Sequence, residues 1–497
     1  MTMNLALLIQ NLPARLIHGS ADIDITAITE DSREVRRGTL FIARQGERVD
    51  GKAFIPQAVS AGAAAVVADR VVQVPTDTAM VVSEDVPYVA AHMVERFMGK
   101  PSSRLKLIGI TGTNGKTTTA HLVHQMLNRA GVRCGLIGTV HVDDGRDVTV
   151  SNLTTPPAAE LSRWMRSMVD HGCAACVMEV SSHALQQERV AGLAFDVGVF
   201  TNLTGDHLDY HGTMDEYCAA KAKLFQMLPE RGCAIVNDDD SSSYAMRSKS
   251  RAPVWGCSLV TANATCAAKI KLQTIAGVEA EFRGPWGVMD ISLPLCGKHN
   301  VMNALEAAAV GHVVGLSAAQ ISQSLASCKA PPGRLEPVMT DGKPYSIFVD
   351  YAHTDDALDN VLSTLRPLVP QGGRLRVVFG CGGNRDPQKR PRMASVACRL
   401  ADDIIITSDN PRKEDPEEIV RQVAQGVPAS HQSSTTCIVD RRQAIFEAVS
   451  RCSAGDVLLI AGKGHEDYQI IGEQRRPFDD RLVAREALAQ LHIRVAS

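Results

Sequence analysis

The run Gly109-Ile110-Thr111-Gly112-Thr113-Asn114-Gly115-Lys116-Thr117-Thr118 combines glycines, a lysine and adjacent hydroxyls in a pattern suited to holding a polyphosphate. Glycines let consecutive backbone N–H groups turn toward phosphate oxygens, and a helix opening behind them adds the positive end of its dipole. Lys116 would supply a point charge for the β- and γ-phosphates, and Thr117 a hydroxyl for Mg²⁺. The strict form G-x-x-x-x-G-K-[ST] is not met, because Ile110 stands where its first glycine belongs. A glycine-rich turn carrying a chance Lys-Thr pair is the plainer alternative. Further on, Glu179-Val180-Ser181-Ser182-His183 closes an apolar run. A carboxylate at the C-terminal edge of a strand beside a phosphate loop is placed to hold Mg²⁺; standing alone, Glu179 also reads as a solvated loop acid.

Asp206, His207, Asp209 and His211 crowd into the segment Thr201–Gly212, which fits metal or acid/base work as well as a capped loop. Lys221 and Lys223 follow on a helical stretch, where a lysine is ordinarily a solvated cation. Three further loops stand at expected strand ends: Gly380–Arg385, Ser408–Arg412 and Ala461–Glu466. Arg385 and Arg412 could each clamp a carboxylate in a two-point pairing, and Glu466 could take an ammonium. Two arginines with acids suit an amino acid better than a nucleotide; alternatively the arginines are surface charges.

Elements must position these groups. Strand-length apolar runs alternate with helix-period segments, the pattern of α/β domains with largely parallel sheets. Expected strands are Ile23–Ile28, Thr39–Ala43, Ala63–Ala68 and Met80–Val82, then Leu105–Ile110, Val177–Val180, Val197–Phe200 and Ala234–Val236, then Ile347–Val349, Leu375–Phe379, Ile404–Thr407 and Val457–Ile460. A helix is expected from Lys116, with Ala120, Val123, Leu127 and Ala130 at helical spacing and Gly131 as its cap. Gly99–Ser103 reads as a linker, and Pro331-Pro332-Gly333 punctuates the start of a third, doubly wound region.

The 497 residues fit roughly three domains at ~150 residues each. With Lys+Arg 52 against Asp+Glu 55 and 4% aromatics, neither a global nucleic-acid or anionic-membrane bias nor a single-strand stacking platform is expected. No apolar run approaches the ~20 residues of a membrane span, and Met1–Gly19 lacks the layout of a secretory signal. Thirteen scattered cysteines read as reduced thiols of a cytoplasmic protein; Cys173 and Cys176, though a C-x-x-C, lack a second pair at zinc-site spacing.

Together the motifs resemble the Mur ligase family, ATP-dependent amide-bond ligases of peptidoglycan precursor synthesis. The resemblance covers nearly the whole chain: Gly112–Thr117, Glu179–His183, Thr201-Asn202-Leu203 with Asp206-His207, Asn300–Ala304, Gly333–Glu336 and Asp350–Thr354. It implies three α/β domains: a small uridine-binding domain at 1–103, a central P-loop-type ATPase domain with a mostly parallel sheet at 104–333, and a Rossmann-like doubly wound amino-acid-binding domain at 334–497. Asp409-Asn410-Pro411-Arg412 matches members that add meso-diaminopimelate, whose second carboxylate an arginine can meet and which lysine lacks.

By that resemblance Gly112, Thr113, Asn114, Gly115, Lys116, Thr117 and Thr118, with Asn300, Arg334 and Asp350, would bind ATP. Thr117 and Glu179 would hold one Mg²⁺, and His207 with Lys221 a second. Lys221 would carry a CO₂-derived carbamate (N6-carboxylysine), making Lys116, Glu179, His207 and Lys221 the catalytic set. UDP-N-acetylmuramoyl-L-alanyl-D-glutamate would meet Ser32, Glu47, Arg48, Val49, Thr154, Thr155, Ser181, Gln187 and Arg189. Arg385, Asp409, Asn410, Pro411, Arg412, Gly462 and Glu466 would grip diaminopimelate. A cytoplasmic monomer acting on these small molecules is expected; L-lysine as amine donor, or a folylpolyglutamate synthetase-like ligase, are the alternatives.

Overall fold

The computed structural model describes residues 1–46, 49–340 and 342–496. Its chain divides into two compact units, one comprising Met1–Ala268, Phe282–Met289 and Met302–Ser324, the other Lys269–Glu281, Asp290–Val301 and Leu325–Ser497.

The first unit opens with a five-stranded sheet, ordered Arg15–His18, Ala79–Val82, Ala63–Ala68, Thr39–Ile42, Ala27–Thr29. All but the first of these strands run parallel. Alternate strand residues feed two cores, Leu40, Ile42, Val67 and Val81 on one face and Phe41, Val66 and Met80 on the other, as a sheet covered on both sides requires. The expected linker is packed instead. Pro101–Arg104 forms a 3₁₀ turn, and buried Ser102 donates from N (2.9 Å) and Oγ (2.6 Å) to Glu95 Oε1, whose other oxygen accepts from Ser162 Oγ at 2.7 Å. Its polar composition reflects this hydrogen-bonded corner rather than solvent.

The central sheet of this unit places Lys106–Thr111 between Ala175–Glu179 and Val197–Phe200, all parallel. Register pairs Glu179 with Ile110 and Phe200 with Thr111, so three strand ends terminate side by side. Cys134–Ile137 extends the sheet beyond Ala175–Glu179, and Cys233–Asn237 and Val254–Ser258 extend it on the opposite flank. The helix Lys116–Arg129 starts one residue after the glycine turn and ends before Gly131, whose φ of 86° closes it. Ala120, Val123, Met126 and Leu127 bury its inner face.

The second unit holds a six-stranded sheet ordered Glu336–Val338, Ser346–Asp350, Val457–Ala461, Leu375–Cys381, Asp403–Ser408, Thr435–Cys437. Only the first strand is antiparallel. Apolar clusters line both faces, one under Asp355–Leu365, Lys389–Leu400 and Pro416–Ala424, the other under Arg441–Ser450 and the final helix. This is the doubly wound layout expected for the region, and it gathers the C-terminal ends of Ser346–Asp350, Val457–Ala461, Leu375–Cys381 and Asp403–Ser408 along one edge. All thirteen cysteines are free thiols, and among the described residues no helix is long and apolar enough to cross a membrane.

Candidate functional site

The phosphate-loop backbone has the conformation its glycines predict. Gly112 and Gly115 sit at φ 153° and 86°. A Cβ on Gly112 would collide with Thr201 Oγ1, and one on Gly115 would lie 2.7 Å from Asn303 Oδ1. The loop is pinned from outside: Thr113 N donates to Asn202 O, Asn114 N to Asn202 Oδ1, and Thr201 Oγ1 to Asn114 O, at 2.9, 2.9 and 2.6 Å. Lys116 Nζ folds back on its own loop, donating to Gly112 O (2.8 Å) and Thr113 O (2.7 Å). Thr118 is buried on the first turn behind them. Ile110 points into the core, so the position lacking the first glycine is a strand residue and the turn begins at Gly112.

Glu179 is fully buried, which excludes the solvated-acid reading. Its carboxylate accepts from Thr117 Oγ1 (2.9 Å), Thr139 N (2.8 Å) and Thr139 Oγ1 (3.0 Å). Thr139 Oγ1 is 3.1 Å from Thr154 Oγ1, and Thr155 Oγ1 donates to Glu179 O at 2.9 Å. Ser181 N donates to Thr155 Oγ1, Arg189 to Thr155 O and Gln187 Oε1, and Gln187 to the Tyr210 hydroxyl. Thr154, Thr155, Ser181, Gln187 and Arg189 therefore form one connected patch joined to the phosphate loop through Glu179.

Lys221 departs furthest from the ordinary lysine. It is 1% exposed, donates to Gly112 O at 2.7 Å, and lies 4.3 Å from the centre of the Tyr217 ring. Burial, with Lys116 nearby, holds its pKa well below the usual lysine value. Tyr217, which heads the segment leading to Lys221 and had no expected role, is fully buried, and its hydroxyl lies 3.2 Å from Thr113 Oγ1; burial pushes its pKa up to about 12. His207 is half-exposed at φ 55°, its ring 6.2 Å from Tyr217 and 4.9 Å from His183. Lys223 pairs with Glu188 at 2.9 Å. Behind the loop, Thr119 Oγ1 lies 3.2 Å from both Asn303 Oδ1 and Glu306 Oε2. Burial raises the Glu306 pKa well above its ordinary value, favouring the neutral acid.

Thr117 and Glu179 offer the hard oxygens that Mg²⁺ prefers, with hydroxyls able to turn away from the carboxylate as an ion arrives. An ammonium does not fit Mg²⁺, so Lys221 would suit a second ion only as an oxygen-bearing derivative, whose formation its lowered pKa favours. Among the described residues no group of three or more His, Cys, Asp or Glu gathers at metal-binding distance.

Ser32 is buried, its hydroxyl donating to Gln57 Oε1 at 3.0 Å, while Val49 is exposed; Glu47 and Arg48 lie outside the described residues.

In the second unit, Asp350 is buried and accepts from Leu335 N (2.7 Å) and Ala352 N (2.8 Å), and burial raises its pKa. Arg334 stacks over Tyr351 at 5.1 Å. Gly333 lies so close to Gly464 and His465 that a Cβ there would strike His465 N. Asn300 donates to Cys296 O at 2.8 Å. The loops after Asp403–Ser408 and Val457–Ala461 interlock. Asn410 Nδ2 donates to Glu466 Oε2 (2.9 Å), and Asn410 Oδ1 accepts from Ile470 N (2.9 Å) and Lys463 Nζ (3.2 Å). The Asn410 amide, expected to grip a ligand, is largely spent on organising the loops. Arg412 is strained at φ 53°, bridged by its backbone to Ile470 and Gly472, and donates from Nη1 to Gly383 O at 2.9 Å. Arg385 is exposed near Gly382, Pro411 is buried, and a Cβ on Gly462 would press on Asp409 at 2.6 Å. No role was expected for Lys463 or Arg441: each stands among polar neighbours, Gly462–Asp467 and Asp440–Gln443, where a charged side chain reads as solvated, yet both are buried.

Family models match in chain order: the Mur ligase family catalytic domain over residues 24–100, the Mur ligase middle domain over 110–311, and the Mur ligase glutamate ligase domain over 333–464. The chain belongs to the Mur ligase family. It is thus an α/β ligase with the family's three domains. A Geobacillus kaustophilus protein named UDP-N-acetylmuramoyl-L-alanyl-D-glutamate–2,6-diaminopimelate ligase is 45% identical over 98% of this chain and 100% of its own. A Synechococcus elongatus protein of the same name is 43% identical over 98% and 99%. A solved structure of a ligase so named superposes with a TM-score of 0.75, at 31% identity, over 99% of this chain and 100% of its own.

Proposed function

We propose that this Mur ligase uses ATP to join meso-2,6-diaminopimelate to the D-glutamate of UDP-N-acetylmuramoyl-L-alanyl-D-glutamate in the cytoplasm. The observation that carries the reading is the continuous polar path from the phosphate loop through Thr117 and Glu179 to Thr139, Thr154 and Thr155. Such a path would set a nucleotide's phosphates beside a patch suited to a peptide's carboxylate and amides. The D-glutamate γ-carboxylate attacks the γ-phosphorus of ATP, giving an acyl phosphate and ADP. The donor amine then attacks the acyl carbon, loses a proton, and inorganic phosphate leaves as the amide forms.

Backbone N–H groups of Gly112–Thr118 and the Lys116 ammonium meet the negative charge that both steps accumulate. Thr117 and Glu179 would hold one Mg²⁺, and His207 with carbamylated Lys221 a second. Bound there, Mg²⁺ neutralises phosphate charge. Burial lowers the Lys221 pKa and so favours the neutral amine, the form that would attack CO₂ and lose a proton to give the carbamate. Asn300, Arg334 and Asp350 would serve the nucleotide, and Ser32 with Glu47–Val49 the uridine. Arg385, Arg412, Asp409, Gly462 and Glu466 would grip the amine donor, with Arg412 meeting the second carboxylate.

Residues 24–100 and the Asp409–Arg412 loop count against a folate-type ligase. The decisive assay measures phosphate release dependent on the UDP-muramoyl dipeptide with meso-diaminopimelate or L-lysine as donor. Diaminopimelate is expected to support turnover and lysine to fail. Equal use of lysine overturns the donor assignment, and no donor-dependent release overturns the ligase reading.

A further inference from the structure

A buried cation that the proposed reaction does not use lies beneath the amine-donor loops. Lys463 has no exposed surface, yet its ammonium stands 3.1 Å from Glu466 Oε2 and 3.2 Å from Asn410 Oδ1, with the Tyr468 ring centre at 5.4 Å. An ammonium removed from water is costly unless it is paired and hydrogen-bonded, so these two oxygens are what make Lys463 tolerable there. Asn410 Nδ2 closes a triangle by donating to the same Glu466 oxygen at 2.9 Å.

The triangle leaves Glu466 asymmetric. Oε2 serves two internal donors, Oε1 accepts from no described residue, and the side chain retains 16% exposure. Asn410 is fixed equally firmly, since its Oδ1 also takes Ile470 N at 2.9 Å. The roots of both loops are tied below: Arg441, itself buried, donates to Ser408 O (3.3 Å) and Ala461 O (2.9 Å), the residues that end the two strands. The frame is tied at its base, and Lys463 and Asn410 both hold Glu466 by the same oxygen.

We propose that Lys463 is a positioning residue for the amine donor: by holding Glu466 Oε2 and Asn410 Oδ1 from below, it presents Glu466 Oε1 to the ammonium of an α-amino-acid headgroup. The assignment rests on the amine-donor reading of these loops given above. Lys463 touches no reacting atom and acts through Glu466. Without it, Oε2 keeps one neutral donor and the carboxylate is free to rotate, so the loss falls on capture of the donor, while nucleotide binding is spared.

The test is steady-state kinetics of Lys463→Met, Lys463→Gln and Lys463→Arg, varying donor, ATP and UDP-muramoyl dipeptide in turn, with thermal melting alongside. Lys463→Met is expected to raise KM for diaminopimelate about tenfold or more, the equivalent of ~1.4 kcal/mol, while both other KM values stay within about twofold. Lys463→Arg is expected to recover part of the loss, and Lys463→Gln, which keeps hydrogen-bonding capacity without charge, to fall between. Should Lys463→Met fail to fold, the Gln and Arg variants carry the same comparison. An unmoved donor KM, or all three KM values rising together, overturns the assignment while the ligase reading stands. An unaltered enzyme without donor-dependent turnover overturns both.

Discussion

Glu306 shows how far a side chain can be driven from its usual chemistry by where it is buried. Its carboxyl is fully buried, with Oε2 near Thr119 Oγ1 and Oε1 without a partner. Burial raises its pKa well above 4.5, so the folded chain keeps a proton that the unfolded chain has lost. Stability from this group is therefore complete below the unfolded value and falls as pH rises through the window up to the raised folded value. Glu306→Gln, uncharged throughout, is expected to melt a few degrees higher than the unaltered chain near pH 8 and equally near pH 4. Parallel melting curves at both pH values check this; identical melting near pH 8 contradicts the raised pKa. Lys221 is the mirror case, its pKa lowered by burial. In sequence both are ordinary charged residues, because desolvation belongs to the packed neighbours and leaves no mark on the residue itself.

At the level of elements, strand placement was legible because fully buried parallel strands read as unbroken apolar runs. Ala63–Ala68 and Val197–Phe200 coincide with expectation, and most others differ only by a residue or two at the ends. What the runs could not convey is how the elements are fastened. The helix Arg441–Ser450 contributes Arg441, bound to Asp480 at 2.8 and 2.6 Å and to two strand-end carbonyls. Arg441→Met alone strands Asp480 as an uncompensated buried charge and is expected to cost about 3–5 kcal/mol. The double variant Arg441→Met with Asp480→Leu is expected to recover most of that loss. Denaturant unfolding of the single and double variants separates the two outcomes, and a double variant no more stable than the single refutes the account. The Gly99–Ser103 segment teaches the converse: polarity suggested a linker, but Glu95 claims the Ser102 hydroxyl and amide while also taking Ser162, remote in sequence.

For the molecule as a whole, the proposed amine-donor loops belong to the second unit, where Arg412 is anchored at both backbone bonds and through Gly383 O. Arg412→Met is expected to lower kcat/KM for diaminopimelate about 10- to 100-fold, the scale of losing hydrogen bonds to a charged group, with little change in KM for ATP. Initial rates with each substrate varied check it, and an unchanged donor kcat/KM removes Arg412 from recognition. The linear chain sufficed for the family, the alternation of strand and helix, the phosphate loop and the loops at strand ends, because glycine conformational freedom, apolar period and fixed motif spacing are local properties. Only the folded structure decided that Glu179 and Lys221 are buried, that Asn410 bonds within its own loops, and that Lys463 and Arg441 underlie those loops, because desolvation and hydrogen-bond partnership arise from residues far apart in sequence that packing brings together.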